Sequence, residues 1–557
     1  MNFDAYKAAL SGDEGQDKAD TGVEKDHSIR TYNSKFEEIK EIRQDGEITT
    51  VIRSLNQYKQ NAANQRRFGK FSLLLHRIVS NNNTQNPILQ LEIQSDILRN
   101  EFRRLASHFT SINLYKNPIV IHEPFREIYH CKDQIQDALH KASTETRQEL
   151  QLLVDFQIWY MSHTIETIRS FIESRTIDFE WLWSLFKPGS HIIIQEARSS
   201  YAPIEWCTVL KSYDTSVQDG TGRWSICVTH TGFNGETFGN VESTFTFPSF
   251  SGTLPISQLP AYPLQFHKSQ ESLKDMIVDR GKMYQQYCIA SRKGLQSPIG
   301  SSMAYEGPFW KVSTEDDDPR GFQMIKSPSY NTQGRVVVDV DGFFNCYPRF
   351  RDTLITESNE NDISNDANDS IDSATLIQES LSTEQLLTCS PFVPVFSFTT
   401  HEWGLVPING LDNIIWDTVV YDKLEVKEDV KNILRVLVNG HSNHSPNFDD
   451  FVQGKGRGLV LLLHGPPGCG KTMTAESIAE SLKKLLYRVS SDKLGTSIHE
   501  MHRRLESTFD LAARWGAILL LDEVDAFLAQ RHGEIAEKNS LLPGQTSIDF
   551  CAQSLIT

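Results

Sequence analysis

The chain has 557 residues, of which 39% are hydrophobic and 23% charged, and its formal net charge is −17. A chain of this length can form two or three domains with separate cores, and this composition is typical of globular proteins. The acidic charge argues against general nucleic-acid binding, and no apolar run approaches the ~20 residues that a membrane-spanning helix needs. The N-terminus does not resemble a signal peptide and the eight cysteines are scattered, so we expect a reducing cytoplasmic or nuclear location.

The first part of the chain carries little hydrophobic pattern. Residues 1–65 are polar and charged, which predicts a mostly disordered segment with room for short helices near 34–43 and 51–58. No function follows from this composition.

Residues 66–351 have the mixed pattern of an α+β domain. Apolar residues at helical spacing predict one long helix over 145–173. Turn residues separate short strand-like runs over 191–247, which predicts an antiparallel meander. A helix is expected over 269–287, followed by a looser insertion to about residue 331. Histidines and cysteines of this domain show no metal-ligand spacing, so we expect no metal site here.

The next segment, 352–383, is acidic and rich in serine and asparagine. This composition predicts a flexible linker or surface loop, and an acidic docking tail is the alternative. An ordered segment is expected to begin at Leu386 and to lead into the C-terminal region 384–557.

A glycine-rich loop follows the apolar run Leu459–Leu463, which has the length of a strand buried on both faces. A helical pattern begins after the loop. A strand, a glycine loop and a helix in this order are typical of a phosphate-binding site. The glycines let the backbone approach a triphosphate, Lys471 reaches the β- and γ-phosphates, and the Thr472 hydroxyl binds Mg²⁺. The pattern predicts an ATP-binding loop (Walker A motif) made of Gly465, Pro466, Pro467, Gly468, Cys469, Gly470, Lys471 and Thr472.

A second buried-strand pattern, 517–521, ends in adjacent carboxylates. Carboxylates delivered by a strand beside a phosphate loop suit Mg²⁺ and an attacking water (Walker B motif). We expect Asp522 to hold the metal and Glu523 to polarise the water. This combination favours an ATPase over a small-molecule kinase.

These motifs (GLVLLLHGPPGCGKTMTAESIAE, LYRVSSDKLGT and WGAILLLDEVDAFLAQR) resemble those of the AAA+ ATPases. Together with FEWLWSLFKPGSHI and LLTCSPFVPVFSFTTHEWG, they are similar to a fungal group with a large uncharacterised N-terminal domain. The resemblance implies a P-loop NTPase fold with a doubly wound parallel sheet, a homo-oligomeric, hexameric ring and an unidentified protein substrate. It also implies part of an adenine pocket within Asp412–Asp422.

Two departures from the family pattern affect these expectations. The residues after 490, Ser491-Asp492-Lys493-Leu494-Gly495, lack the aromatic that grips polypeptide in related unfoldases. Pro543-Gly544 breaks the helix expected after Glu537, and the family's sensor strand, arginine finger and lid lie beyond this point. We therefore expect a C-terminally truncated AAA+ core over 384–557, with an incomplete sheet that leaves Leu459–Leu463 without a neighbouring strand.

The sequence thus favours Mg²⁺-dependent ATP binding and hydrolysis that remodels a protein partner. The alternative is a nucleotide-binding or scaffolding fragment that acts through its N-terminal domain without turnover.

Overall fold

The computed structural model describes residues 33–44, 47–53, 56–60, 71–80, 88–195, 204–218, 221–290, 301–312, 329–351, 354, 381–442, 459–466, 468–490, 498–522 and 554–556. Predictions for 1–32, for nearly all of the 352–383 segment, for 491–497 and for 523–553 lie outside these residues. The predicted domain boundaries stay predictions.

The chain divides into two compact units. Unit 1 consists of Met1–Ile194, Cys207–Thr229 and Glu242–Gln270, and unit 2 consists of Gln195–Trp206, His230–Val241 and Glu271–Thr557.

Unit 1 opens with a six-stranded sheet in the order β3-β2-β1-β4-β5-β6. Strand β1 runs parallel to β4, and the other neighbouring pairs are antiparallel. The strands are β1 (Asn33–Gln44), β2 (Glu47–Arg53), β3 (Asn56–Gln60), β4 (Phe71–Ser80), β5 (Ile88–Ile93) and β6 (Ile119–His122).

The first three strands correct the prediction of disorder and short helices for this part of the chain. Their sequences have little local pattern, but β1 pairs along its length with the apolar strand β4. Ile39 of β1 is only 2% exposed. These three strands form because they gain backbone hydrogen bonds and contacts with the neighbouring sheet. Strand preference depends strongly on such tertiary context.

Helices cover one face of this sheet. Leu73, Leu75 and Leu91 pack in one core with Phe102 and Phe156, which come from α1 and α4. Ser95 caps the first helix by accepting from the backbone N–H of Leu98. The helices are α1 (Asp96–Leu105), α2 (Arg126–His130), α3 (Lys132–Lys141), α4 (Thr144–Tyr160) and α5 (Ser162–Ser174).

The single helix predicted over 145–173 is wrong in one respect. The chain leaves helical geometry at Met161 (φ −97°, ψ 1°), so α4 and α5 are separate helices. The apolar spacing continues across this residue, and therefore the periodicity gave no sign of the break.

A second sheet has the order β11-β10-β9-β8-β13, which confirms the predicted meander. A two-stranded pair, β7 and β12, lies apart from it. Between β7 and β8 the residues Phe179–Ser184 form a short 3₁₀ helix. The strands are β7 (Thr176–Asp178), β8 (His191–Gln195), β9 (Glu205–Gln218), β10 (Thr221–Phe233), β11 (Phe238–Pro248), β12 (Thr253–Pro255) and β13 (Ala261–Pro263).

Unit 2 contains a third sheet in the order β15-β16-β17-β14-β18, and an additional β14–β15 pairing closes four of its strands into a ring. Strand β14 lies where a loose insertion was predicted. The elements are α6 (Gln270–Ala290), β14 (Ser301–Lys311), β15 (Tyr330–Val338), α7 (Val340–Cys346), α8 (Thr383–Leu387), β16 (Phe392–Ser397), β17 (Glu402–Pro407) and β18 (Leu411–Asp412).

The remaining elements of unit 2 alternate between helix and strand. Strands β19 and β20 pair in parallel, with Ser490 opposite Asp522, and β21 pairs in parallel with β20. This arrangement is α/β, as expected. The elements are α9 (Glu428–Ser442), α10 (Lys471–Ser481), β19 (Leu486–Ser490), α11 (Ile498–Trp515), β20 (Ile518–Asp522) and β21 (Ser554–Ile556).

The buried strand predicted at Leu459–Leu463 does not form. In the described part of the chain this segment has no regular ladder, apart from an isolated β-bridge at Leu462. Leu459, Leu461 and Leu463 pack against the core, whereas Val460 is 52% and Leu462 75% exposed. One face of the segment is therefore packed and the other open, and the expectation that it lacks a neighbouring strand stays a prediction.

Among the described helices, none combines the length and the apolar composition needed to cross a membrane.

Candidate functional site

The predicted phosphate loop leads into the N-terminus of α10. Gly468 and Gly470 have positive φ angles of 80° and 87°, and a Cβ at either position would meet nothing within 4 Å. Glycine is needed there for its backbone conformation, because other L-residues are strained at such angles. Helix α10 begins at Lys471, and Gly470 offers no side chain to cap it. The first N–H groups of the helix are thus suited to an anionic ligand.

The Lys471 ammonium bridges the loop. Its Nζ donates to the carbonyl oxygens of Gly465 (3.0 Å) and Pro466 (3.2 Å). The side chain therefore lies over the loop that would hold phosphates. A phosphate oxygen would compete for the same three donors, and a charged acceptor forms the stronger hydrogen bond. Pro467, which we also predicted for this loop, lies outside the described residues.

The strand that ends in Asp522 shares a hydrophobic core with the helix after the loop. Ile518 and Leu520 of β20 pack with Ala475 and Ile478 of α10. The partly buried leucines at 459, 461 and 463 join the same core. The structure thus brings the loop helix and the Asp522 strand together, as the two motifs require.

Asp522 pairs with a residue that the sequence analysis missed. Its Oδ2 accepts from Arg488 Nη2 at 2.7 Å, across the parallel pair β19–β20. The carboxylate is 18% exposed and the guanidinium 54%. The available signal was one charged residue in β19, between Tyr487 and Val489. Glu523, the expected water-polarising residue, lies outside the described residues.

Thr472 and Asp522 offer a hydroxyl and a carboxylate oxygen, which are ligand types that Mg²⁺ prefers. Searching the described residues finds no group of three His, Cys, Asp or Glu side chains that could hold a metal unaided. The donor set fits a Mg²⁺ ion that takes its remaining ligands from phosphate and water.

The segment Asp412–Asp422 contacts the same helix. Tyr421 and Leu424 join the core formed with α10. The backbone N–H of Asp417 donates to Glu480 Oε2 at 3.1 Å. Ile415 and Val419 of this segment are 94% and 55% exposed. An exposed apolar surface beside the loop helix is suited to a flat, apolar base.

Unit 1 contains a separate open cleft of about 560 Å³, lined by residues of α1, α3 and the start of α4. Its charged groups include Arg104, which is paired with Glu101. Mixed charges at exposed positions do not define a ligand class, and the cleft contains none of the predicted site residues.

Comparisons with known proteins agree with the position of the loop. Residues 461–543 match the family described as ATPase family associated with various cellular activities (AAA). Residues 167–268 match a domain of unknown function, DUF7025. No solved structure matches the chain.

Curated relatives match over short regions. An uncharacterized AAA family ATPase y4kL of Sinorhizobium fredii is 40% identical over 82 residues, 14% of this chain and 24% of the relative. The nuclear valosin-containing protein-like of Mus musculus is 32% identical over 112 residues, 20% and 12% of the two chains. FIGL1 of Arabidopsis thaliana, an ATPase family AAA domain-containing protein, is 34% identical over 94 residues, 16% and 14%.

The chain thus spans a quarter or less of the length of these relatives. The matches show that the C-terminal part of the chain contains a segment similar to AAA ATPases.

Proposed function

We propose that residues 384–557 form an AAA+ core that binds ATP with Mg²⁺ and hydrolyses it, and that hydrolysis moves the N-terminal domain to remodel a protein partner. The observation that carries this proposal is the loop at Gly465–Thr472. It combines two positive-φ glycines with a lysine at the start of an uncapped helix. Few other arrangements place so many donors around one anion.

Each site residue has a separate role in this proposal. Lys471 moves from the loop carbonyls to the β- and γ-phosphates, and Thr472 and Asp522 hold the metal. Glu523 orients the attacking water and accepts its proton. Mg²⁺, when bound, neutralises charge on the phosphate oxygens. The base lies against Asp412–Asp422, where apolar side chains are exposed.

The proposal extends to assembly and location. By resemblance to AAA+ proteins, the chain forms a homo-oligomeric ring, and six subunits is our proposal for its size. The location that we propose is cytoplasmic or nuclear. We also propose that β19 and β20 belong to a doubly wound sheet.

Removal of the Lys471 charge tests ATP binding. Lys471→Ala should abolish the calorimetric signal of ATP with Mg²⁺, because the variant loses the only side-chain cation of the loop. Lys483→Ala is a matched control, since Lys483 is exposed just beyond the end of α10. Equal ATP affinity in wild type and Lys471→Ala would refute the proposal.

A second candidate function is nucleotide binding without turnover. The open face of Leu459–Leu463 favours it, because it leaves the segment before the loop less constrained than catalysis requires. The ion pair with Arg488 also favours it, because it occupies the Asp522 carboxylate that would hold the metal. Single-turnover measurement with excess protein separates the two candidates: bound ATP that stays intact indicates the scaffolding function.

A further inference from the structure

Arg335 of the ring-closed sheet of unit 2 contacts the loop helix α10 near its C-terminal end. Arg335 lies on β15, and its backbone carbonyl accepts from the N–H of Phe398 at 3.0 Å. Strand β15 is paired on both sides, with β14 and β16. The base of this side chain is therefore fixed by the sheet.

The Arg335 guanidinium makes two contacts beyond its own sheet. Its Nη2 donates to Glu480 Oε1 near the end of the loop helix α10. Its guanidinium carbon lies 4.4 Å from the ring centroid of Trp416, a cation–π distance. The Arg335 and Glu480 side chains are 29% and 19% exposed. Both contacts are thus partly shielded from water.

Glu480 completes the arrangement with its other oxygen. Oε2 accepts from the backbone N–H of Asp417, the residue after Trp416. One carboxylate thus binds the sheet and the Asp412–Asp422 segment together. Arg335 contacts the same segment through the Trp416 ring.

We propose that Arg335 and Glu480 are positioning residues that hold the Asp412–Asp422 segment against the loop helix, and so set the affinity for the adenine base. This inference rests on the proposed function, since it assumes that the base binds to this segment. The matched ATPase segment begins at residue 461, so Arg335 and Trp416 lie outside it.

The physical reason is preorganisation. Residues 413–427 contain no helix or strand, so contacts with neighbouring elements must hold the segment in place. Without the Arg335–Glu480 pair, the segment would have to be ordered by the incoming base, and that ordering would reduce affinity. The triphosphate, bound by the loop, would not be affected.

The test compares ATP with inorganic tripolyphosphate, which has the phosphates but no base. Calorimetry on the full chain with Mg²⁺ measures both affinities. Arg335→Met should weaken ATP binding about three- to tenfold and leave tripolyphosphate within about twofold. Lys311→Met is the matched control, because Lys311 is a cation of the same sheet paired with Glu402. It should change neither affinity.

Glu480→Gln supplies the second variant. Glutamine keeps an oxygen for the Asp417 N–H but loses the ion pair with Arg335, so it should weaken ATP in the same selective way. If Arg335→Met does not fold, Glu480→Gln alone tests whether the Arg335–Glu480 pair sets the affinity for ATP. Equal weakening of ATP and tripolyphosphate, or no weakening of ATP, would overturn the inference. Lys471→Ala should lose both ligands, and its failure to do so would refute the proposed function instead.

Discussion

Arg514 binds both carboxylate oxygens of Asp339. Nε donates to Oδ2 at 2.6 Å and Nη2 to Oδ1 at 2.9 Å. Trp515 Nε1 also donates to Oδ2, and the backbone N–H of Gly342 donates to Oδ1, each at 2.9 Å. Asp339 is fully buried, and hydrogen bonding to it raises the pKa of Arg514. The end of α11 is thereby joined to the start of α7.

This relationship predicts a large stability effect. Asp339→Asn should destabilise unit 2 by about 3 kcal/mol, because it leaves the shielded Arg514 charge without its main partner. The urea midpoint should fall while the slope of the unfolding transition stays constant.

Asp341→Asn is the matched control. Asp341 also accepts from Arg514, at 2.8 Å, but its side chain is 32% exposed. Its loss should cost at most about 1 kcal/mol. Equal shifts for the two variants would show that burial of Asp339 does not determine the strength of the contact.

Local sequence predicted the elements that carry their own pattern. The phosphate loop and its helix, the strand ending at Asp522 and the meander follow from glycine positions, apolar runs and turn residues. Ser95 likewise caps α1, and serine is a favoured residue at that position. Such features depend on neighbours within a few residues, and so they can be read locally.

Features set by distant partners could not be predicted. Strand β1 forms because β4 is available for pairing. Arg335 meets Glu480 across 145 residues, and Arg514 meets Asp339 across 175. A local sequence pattern cannot predict a contact between residues so far apart in the chain. The exposure of Leu462 likewise depends on which distant parts of the chain pack over its side chain.

The open face of the segment before the loop leads to a second prediction. Leu462→Thr should change stability by no more than about 0.5 kcal/mol, because the leucine is 75% exposed. Leu520→Ala, in the core of β20 at 0% exposure, should cost about 2–5 kcal/mol. Thermal or urea unfolding of the two variants checks this contrast. A loss above 2 kcal/mol for Leu462→Thr would mean that this face is covered in solution.

A third prediction concerns pH. Burial lowers the pKa of His230 from its usual 6.5 to about 4, and Trp206 lies against the ring at 4.6 Å. The unfolded chain binds a proton below pH 6.5, whereas the folded chain does not until about pH 4. Stability is therefore present above pH 6.5 and is lost as the pH falls towards 4, by on the order of 3 kcal/mol.

His230→Gln should remove this part of the acid sensitivity. The difference in unfolding free energy between wild type and variant, measured from pH 7 to 4, should shrink as the pH falls. His140→Gln is the control, since His140 is exposed on α3. A parallel pH dependence for wild type and His230→Gln would contradict the assignment.

The last prediction separates the two carboxylates of the proposed site. Glu523→Gln should bind ATP as the wild type does but lower turnover at least about 100-fold, because glutamine cannot accept the proton of the attacking water. Asp522→Asn should raise the Mg²⁺ concentration that half-saturates ATP binding by about tenfold. Calorimetry and steady-state phosphate release, measured over a Mg²⁺ titration, report both quantities.

Asp522→Asn also breaks the ion pair with Arg488, so a further variant is needed to assign its effect. Arg488→Gln removes the same ion pair and leaves the Asp522 carboxylate intact. It should leave the Mg²⁺ dependence unchanged within about twofold, since the guanidinium is more than half exposed and such pairs are weak. If Arg488→Gln reproduces the effect of Asp522→Asn, the ion pair and not metal binding is responsible. Wild-type turnover in Glu523→Gln would assign the proton acceptor to another residue.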